Sequence, residues 1–259
     1  MADQRLHLNL IDSSRQLFEL DPDAAIEIGQ GWIFGAGSSA HPAISNAAFR
    51  SDNSLDAGEF IARAKNFFAR RERGFSIWLR GDEAEDRDLV GAAEQAGLQK
   101  VYEMPEMTLQ APAEPQPLPA GVELRQLATS EQADDYWHIA AASYASLGFP
   151  AEVFRGYTDH RGLLADDVVA FIAYLDGDPV SIAMTIVNHG VAGIYWVGSL
   201  EQARGKGLGR AVTVAATNAG FDLGANVASL QASPMGKPIY EAMGYETVFG
   251  YELFMSPPP

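Results

Sequence analysis

Alternating apolar and polar stretches divide the second half of the chain into short strand-like and helix-like segments. GVELRQLA (121–128) predicts a strand, and helical spacing of apolar positions from Ser130 to Gly148 predicts a helix capped by Ser130. The segment 150–164 predicts a second, shorter helix. Three apolar runs follow, VVAFIAYL, VSIAMTIV and VAGIYWVGSL, and their Asp-Gly and His-Gly turns are typical of an antiparallel meander.

A glycine-rich turn and a helix that ends at Gly224 come after the meander. A strand (VASLQAS), a short helix (PMGKPIYEAMG) and a last strand (ETVFGYELF) follow. The predicted order is therefore strand, two helices, three strands, helix, strand, helix, strand. This order indicates a mixed α/β sheet.

A proline-rich stretch divides the chain near its middle. QAPAEPQPLPAG, from Gln110 to Gly121, contains four prolines and no apolar periodicity, which is typical of an extended linker. We therefore expect one domain at residues 1–111, a linker at 112–120 and a second domain at 121–259.

The ends of the two halves resemble each other. EQAGLQKVYEMPEM (Glu94–Met107) aligns with EAMGYETVFGYELF (Glu241–Phe254) at an offset of 147 residues, with glycine, valine and aromatic positions in common. This likeness predicts an internal duplication. A common type of helix–glycine–strand corner is the alternative explanation.

Composition and charge exclude several classes of function. The 259 residues are 47% hydrophobic and 20% charged, as in soluble globular proteins, and the net charge of −16 disfavours nucleic acids and anionic membranes as partners. The chain has no cysteine, which excludes thiolate metal sites and cysteine nucleophiles. No apolar run reaches the ~20 residues of a membrane helix, and the N-terminal residues lack the apolar core of a signal peptide. We expect a cytoplasmic protein without a metal site.

The glycine-rich turn concentrates positive charge and bare backbone in this acidic chain. Residues 202–211 (QARGKGLGRA) contain three glycines and, in Arg204, Lys206 and Arg210, three of the seven basic residues of the second half. A helix N-terminus offers unpaired N–H groups and the positive end of the dipole, and glycine lets a ligand approach closely, so the turn predicts a phosphate site. It matches neither a Walker A loop nor the dinucleotide fingerprint. A flexible basic loop without a ligand is the alternative.

At this turn the chain resembles a known family. Residues 204–209, Arg-Gly-Lys-Gly-Leu-Gly, match the R/Q-x-x-G-x-G/A motif of the GNAT superfamily of N-acetyltransferases. IYWVGS stands where that family holds the pantetheine arm, and LQASPMGKPIYEAMGY resembles its closing segment. The resemblance covers Val122 to Phe254. The first half resembles a degenerate copy, because it lacks the motif and has Ala93 where the repeat places Tyr240.

The resemblance implies an α/β (α+β) fold of two tandem GNAT-like domains, each a mixed, mostly antiparallel sheet flanked by helices. It also implies an acetyl-CoA-dependent N-acetyltransferase that transfers an acetyl group to a primary amine of a small molecule or an amino terminus by direct attack on the thioester. The alternatives are a non-catalytic acyl-CoA-binding regulatory module and another nucleotide binder with a Rossmann-like loop. A homodimer remains open.

By the same resemblance, acetyl-CoA would lie on the loop and on the edge of the strand that precedes it. The loop N–H groups would hold the pyrophosphate, Lys206 or Arg210 would reach the ribose phosphate, and the strand would pair with the pantetheine amides where it splays from VASLQAS. The implied site residues are Val197, Gly198, Ser199, Arg204, Gly205, Lys206, Gly207, Leu208, Gly209, Arg210, Ser233 and Tyr240.

Tyr240 is the candidate general acid, because a phenol near the sulfur can protonate the departing thiolate. A packing tyrosine on a short helix is the alternative. Ser233 stands where the family often has asparagine, and it would bond the pantetheine or Tyr240, or cap the short helix. The strand before the loop, 194–197, contains no carboxylate. The sequence therefore assigns no general base.

Overall fold

In the computed structural model, residues 4–42, 44–81, 85–154, 156–157 and 160–258 are described, and they form strands and α-helices in two similar series. The first half contains α1 (Gln4–Phe18), β1 (Ala25–Gly29), β2 (Trp32–Ala36), β3 (Asn46–Arg50), α2 (Ala57–Ala69), β4 (Phe75–Arg80), α3 (Arg87–Gln95) and β5 (Gln99–Leu109). The second half contains β6 (Val122–Gln126), α4 (Ser130–Ala145), β7 (Val168–Leu175), β8 (Asp178–Asn188), β9 (Val191–Ser199), α5 (Leu208–Asp222), β10 (Val227–Gln231), α6 (Lys237–Glu241) and β11 (Glu246–Ser256).

These strands join into a single sheet with the order β1-β2-β3-β4-β11-β5-β10-β9-β8-β7-β6. The β3–β4 and β9–β10 pairs are parallel, and the other pairs are antiparallel. Helices α2, α3, α5 and α6 pack on one face, whereas α1 and α4 pack on the other. The predicted mixed, mostly antiparallel sheet flanked by helices is confirmed.

Both halves follow the same plan. From α1 and from α4 onward, each half runs through a helix, three strands, a helix, a strand, a helix and a last strand. The last strands, β5 and β11, have 11 residues each. They begin at Gln99 and Glu246, which are separated by the same 147 residues as the two similar sequence segments. The repeated plan agrees with the predicted duplication.

The two halves exchange these last strands. β5 of the first half pairs with β10 of the second half, and β11 of the second half pairs with β4 of the first. β5 and β11 also pair with each other in the middle of the sheet. Each half therefore needs a strand from the other to complete its sheet.

The proline-rich stretch between the halves has no helix or strand from 110 to 121. It lies along the second half, because the Asn218 side chain accepts from the Ala113 N–H at 2.7 Å and donates to the Ala113 carbonyl at 3.0 Å. The domain boundaries at 111 and 121 stay a prediction. The sheet of each half includes a strand from beyond the linker.

The predicted helix over 150–164 is wrong. The structure has two short 3₁₀ helices instead, Ala151–Phe154 and His160–Leu164. Residues 155, 158 and 159 of the predicted helix lie outside the described residues. Packing against the turn after α1 explains the difference, since a Cβ on Gly156 would overlap the Asp21 carboxylate and one on Gly162 would overlap Leu20.

The N-cap of α4 is Thr129, one residue before the predicted Ser130. The Thr129 hydroxyl accepts from the Gln132 N–H, and the Gln132 side chain accepts from the Thr129 N–H. This reciprocal pair is a capping box, which determines where the helix begins.

Buried His7 links α1 to the exchanged strand β11. Its Nε2–H donates to the Arg50 carbonyl at 2.8 Å, so its Nδ1 accepts from the Tyr251 hydroxyl at 2.9 Å. Burial, followed by the charge of Arg80, lowers the pKa of His7 to about 4. The ring is therefore neutral at neutral pH.

We expect His7 to make the fold sensitive to acid. Between a pKa of about 4 in the folded chain and about 6.5 in the unfolded chain, only the unfolded state binds the extra proton. The free energy of unfolding should therefore fall as the pH drops through this window, by on the order of 3 kcal/mol in total. Urea unfolding at a series of pH values measures this fall.

In His7→Gln the fall should be smaller, because the group that titrates is gone. His138→Gln is the matched control, since His138 is exposed on α4 and should leave the fall unchanged. An equal fall in His7→Gln and in the parent would contradict the assignment.

Candidate active site

Strands β9 and β10 separate after a short stretch of parallel pairing. Residues 227–229 of β10 pair with residues 191–193 of β9, and both strands then continue without pairing to each other. β9 runs on to Ser199 and β10 to Gln231. The splay agrees with the sequence-based expectation. We call the space between β9 after Gly193 and β10 after Ser229 the slot.

A β-bulge at Trp196 lies at this divergence. Trp196 and Val197 together face only Ala183 of β8, and Trp196 has a positive φ of 51°. Non-glycine residues rarely adopt this conformation, and bulges bend the strand that carries them. The bulge lies in the stretch of β9 that no longer pairs with β10. The sequence pattern contained no signal for it.

The bulge directs two aromatic side chains to the face that carries α1 and α4. The Tyr195 hydroxyl donates to Asn9 Oδ1 on α1 at 2.8 Å. The Trp196 ring packs against Tyr144 and Phe154, with centroids 5.3 Å away in each case. Tyr144 therefore packs beside the slot.

The glycine loop is anchored at both of its ends. Ala203 and Leu208 are buried and pack together with Val180. Between them Gly205 and Gly207 have φ values of 75° and 77°, which favour glycine. A Cβ on either residue would meet no atom within 4 Å, so the backbone of the loop is open to a ligand.

Helix α5 begins at this loop without a cap of its own. Its N-cap is Gly207, no side chain caps it, and its first turn has no acidic residue. The first N–H groups of an α-helix lack partners within the helix, so those of Leu208, Gly209 and Arg210 can bind an anion.

The corresponding helix of the first half, α2, is capped. Its N-cap is Asp56, whose carboxylate accepts from the N–H groups of Gly58 and Glu59 at 2.9 and 3.1 Å. The first half thus provides its own anion at the position where α5 leaves its N–H groups available.

Arg204 holds the loop in place. Its guanidinium donates to the Ser199 carbonyl at 3.3 Å, to the Ser143 carbonyl at 3.4 Å and to the Ser146 hydroxyl. These bonds tie the loop to β9 and to α4. The contribution of Arg204 to an acetyl-CoA site stays a prediction.

The other two basic residues of the loop differ from each other. The Arg210 guanidinium donates to the Ala242 carbonyl at 3.3 Å, which ties α5 to the end of α6. Lys206 is exposed and makes no ion pair with any residue that the structure describes. Lys206 is therefore the basic side chain whose charge is most available to a ligand.

The end of β9 is bonded to the protein at two of its predicted ligand positions. The Ser199 N–H donates to the Ser143 hydroxyl at 3.1 Å, and the Gly198 carbonyl accepts from the Ser181 hydroxyl at 2.9 Å. A pantetheine amide that paired with the Ser199 N–H would have to replace Ser143. The assignment of Val197, Gly198 and Ser199 stays a prediction.

Tyr240 lies on α6 and is 9% exposed. Its ring packs against Gly236, where a Cβ would lie 2.7 Å from it. Burial raises the pKa of Tyr240 to about 12, and burial, followed by the nearby Tyr240 phenol, raises the pKa of Tyr144. Tyr240 therefore keeps its proton at neutral pH, as a general acid must.

Ser233 shapes the turn that leads into α6. Its hydroxyl accepts from the Gly236 N–H at 3.1 Å, and its carbonyl accepts from the Lys237 N–H at 2.9 Å. This geometry favours the capping alternative for Ser233. A bond to pantetheine stays a prediction.

Glu106 was not among the predicted site residues. Its side chain is fully buried on β5, directly opposite Gln231 of β10. Burial raises the pKa of Glu106 to about 8. The repeat could have drawn attention to it, because an acidic residue stands at 106 where the matching position of the second half has the apolar Leu253. Only the strand exchange brings Glu106 to the sheet of the second half.

Two further findings concern the described part of the chain. It has no group of three or more His, Asp or Glu side chains arranged to hold a metal ion. None of its helices has the length and apolar character needed to cross a membrane.

Residues 118–232 match the family model of the acetyltransferase (GNAT) domain. This segment is a GNAT acetyltransferase domain. It contains the slot, the glycine loop and α5, whereas Tyr240 on α6 lies just beyond it.

Relatives of known structure extend the likeness to both halves. A GCN5-related N-acetyltransferase from Kribbella flavida is similar over 96% of each chain, with a TM-score of 0.70 and 22% identity. A tandem GNAT protein from the clavulanic acid biosynthesis pathway matches 97% of this chain and 96% of its own, with a TM-score of 0.61 and 12% identity. At these identities the likeness shows the fold.

One curated relative is a mycothiol acetyltransferase from Thermomonospora curvata. It is 25% identical over 198 residues, which cover 73% of this chain and 66% of that protein. This chain therefore spans just under two thirds of the length of the curated relative that it matches.

Proposed function

We propose that the chain is an acetyl-CoA-dependent N-acetyltransferase that acetylates a primary amine of a small molecule or an amino terminus by direct attack on the thioester. One observation carries the proposal: the GNAT domain has an uncapped helix N-terminus, at a glycine loop, beside diverging strands. A helix end that can bind phosphate therefore lies next to a slot that can hold the extended pantetheine arm.

The residues around the loop suit the pyrophosphate of acetyl-CoA. Gly205 and Gly207 leave the backbone open, and the first N–H groups of α5 can donate to phosphate oxygens. Lys206 would pair with a phosphate, while Arg204 keeps the loop in this conformation. The edge of β9 near Val197 would take the pantetheine arm and donate to the thioester carbonyl.

Tyr240 would complete the reaction. Bound acetyl-CoA supplies an activated acetyl group, and an amine attacks its carbonyl carbon. Tyr240 would give its proton to the departing thiolate sulfur, since its high pKa keeps the phenol protonated until that moment. In this proposal α6 provides the general acid, and α5 and β9 provide the binding site for acetyl-CoA.

The acceptor is proposed from charge and from the curated relative. A net charge of −16 favours a cationic amine over an anionic one. The name of the Thermomonospora curvata relative makes mycothiol-type amines the first acceptors to test. A cytoplasmic location and a homodimer remain predictions.

We expect Gly207→Glu to weaken acetyl-CoA binding strongly. The added carboxylate would lie where the phosphates bind, and it would cap α5 as Asp56 caps α2. Calorimetric titration of acetyl-CoA should give binding by the parent and at least about 10-fold weaker binding by the variant.

Gly177→Glu is the matched control, because Gly177 also has a positive φ and open space around it, in the turn between β7 and β8. Both variants should lose similar stability, and only Gly207→Glu should lose acetyl-CoA. Equal affinities in the two variants, or no binding by a folded parent, would overturn the proposal.

Tyr240→Phe should separate binding from transfer. The variant should bind acetyl-CoA as the parent does, with turnover of an amine panel lowered on the order of 100-fold because the thiolate lacks its proton donor. Tyr245→Phe, which loses a buried hydroxyl bonded to Thr217, is the control for packing. Full turnover by Tyr240→Phe would exclude Tyr240 as the acid.

A parent that binds acetyl-CoA without acetylating any amine would favour the regulatory-module alternative.

A further inference from the structure

We propose that Glu106, which the first half contributes through the exchanged strand β5, is the carboxylate that takes the proton from the attacking amine in the site of the second half. This inference rests on the proposed function. It supplies the base that the strand before the loop lacks, and it gives the strand exchange a role in the chemistry.

The position of Glu106 follows from strand register. Glu106 lies opposite Gln231, two residues beyond Ser229, the last residue of β10 that pairs with β9. It is therefore level with the slot and one strand away from it, at the ~4.8 Å spacing of a sheet. Its side chain shares the face of Gln231, because directly opposed residues point to the same side.

The Glu106 carboxyl group is only partly satisfied. The Gln231 side chain donates to Oε2 at 2.7 Å. Oε1 is buried and forms no hydrogen bond of ordinary geometry with the residues that the structure describes, although the Ser229 hydroxyl, which is likewise buried and unpaired, lies close enough to lower the pKa of the carboxyl group. Buried polar atoms nearly always have a partner, so an open oxygen beside the slot indicates a place for a donor that arrives with the substrate.

The matched position in the first half is apolar. The repeat aligns Glu106 with Leu253, which lies opposite Trp78 of β4 instead of a glutamine. The parallel β3–β4 pair also continues through Phe49 and Trp78, where β9 and β10 have already separated. The polar pair and the slot therefore occur together in one half and are absent together from the other.

The surroundings of Glu106 suit a base. Burial raises its pKa to about 8, and hydrogen bonding from Gln231 and from Ser229 offsets part of that effect. The titratable groups that face it are phenols, Tyr195 from β9 and Tyr251 from β11, each with a pKa raised by its own burial and by the Glu106 charge. A base works best when its pKa lies near the working pH.

The proton balance is complete with residues of the chain. The amine nitrogen forms a bond to the carbonyl carbon, the carbon–sulfur bond breaks, and the proton lost by nitrogen goes to Glu106. The thiolate takes the proton of Tyr240. Glu106 then releases its proton to water and Tyr240 regains one, which restores both groups for the next turnover.

The first test needs only acetyl-CoA. Infrared difference spectra of the full chain, recorded well below pH 8, identify the carboxylic acid C=O stretch of Glu106 as the band missing in Glu106→Gln. Binding of acetyl-CoA should shift this band, because the thioester would lie next to the carboxyl group. Calorimetry on the same samples shows whether acetyl-CoA is bound. Bound acetyl-CoA with an unshifted band would overturn the role of Glu106 alone, whereas no binding would remove the proposed function itself.

The second test uses the amines that the parent acetylates. Glu106→Gln keeps the size of the side chain and its bond to Gln231, so it should bind acetyl-CoA normally with kcat lowered on the order of 100-fold. Glu106→Asp should recover part of the rate. Glu103→Gln on the same strand is the control, since Glu103 is exposed and pairs with Lys100. An unchanged kcat in Glu106→Gln would contradict the proposal and leave Glu106 with a structural role only, in the pairing of β5 with β10.

Discussion

The reciprocal exchange of β5 and β11 is the constraint on which the rest of the structure depends. Each strand completes the sheet of the other half, and their mutual pairing joins the two sheets into one. Neither half can form its full set of backbone hydrogen bonds alone, and buried backbone groups must be paired. The two halves are consequently one cooperative unit around β5 and β11. His7 strengthens this junction, because it bonds α1 to Tyr251 on the exchanged strand.

Two copies of one plan have diverged at the same place. In the second half, β9 separates from β10 after Gly193 and carries a bulge at Trp196, and α5 begins at Gly207 without a cap. In the first half, β3 and β4 stay paired and Asp56 caps α2. Buried Arg50 and Arg80 with Asp86 fill the ends of those strands. One half is thus closed by its own polar groups, and the other presents unsatisfied groups to a ligand.

Local chemistry was predictable and long-range register was not. Residue types at short spacing predict the glycine loop, helix α5 with its end at Gly224, and the similar closing segments of the two halves. The strand exchange depends on which distant strands pair, and no local pattern encodes that choice. The position of Glu106 beside β10 could therefore not be predicted from the local sequence. Similarly, the predicted helix over 150–164 failed because contacts with Leu20 and Asp21 override local preference. The sequence placed Arg204 on a ligand, but its guanidinium bonds are made to β9 and α4.

Hydrogen–deuterium exchange of the full chain, with and without acetyl-CoA, tests the central claim that one of two similar halves carries the site. The account predicts slower exchange at 197–199 and 205–210, with no change at the start of α2, around 56–60. Slower exchange at the start of α2, or unchanged exchange of the glycine loop while acetyl-CoA is bound, would contradict it.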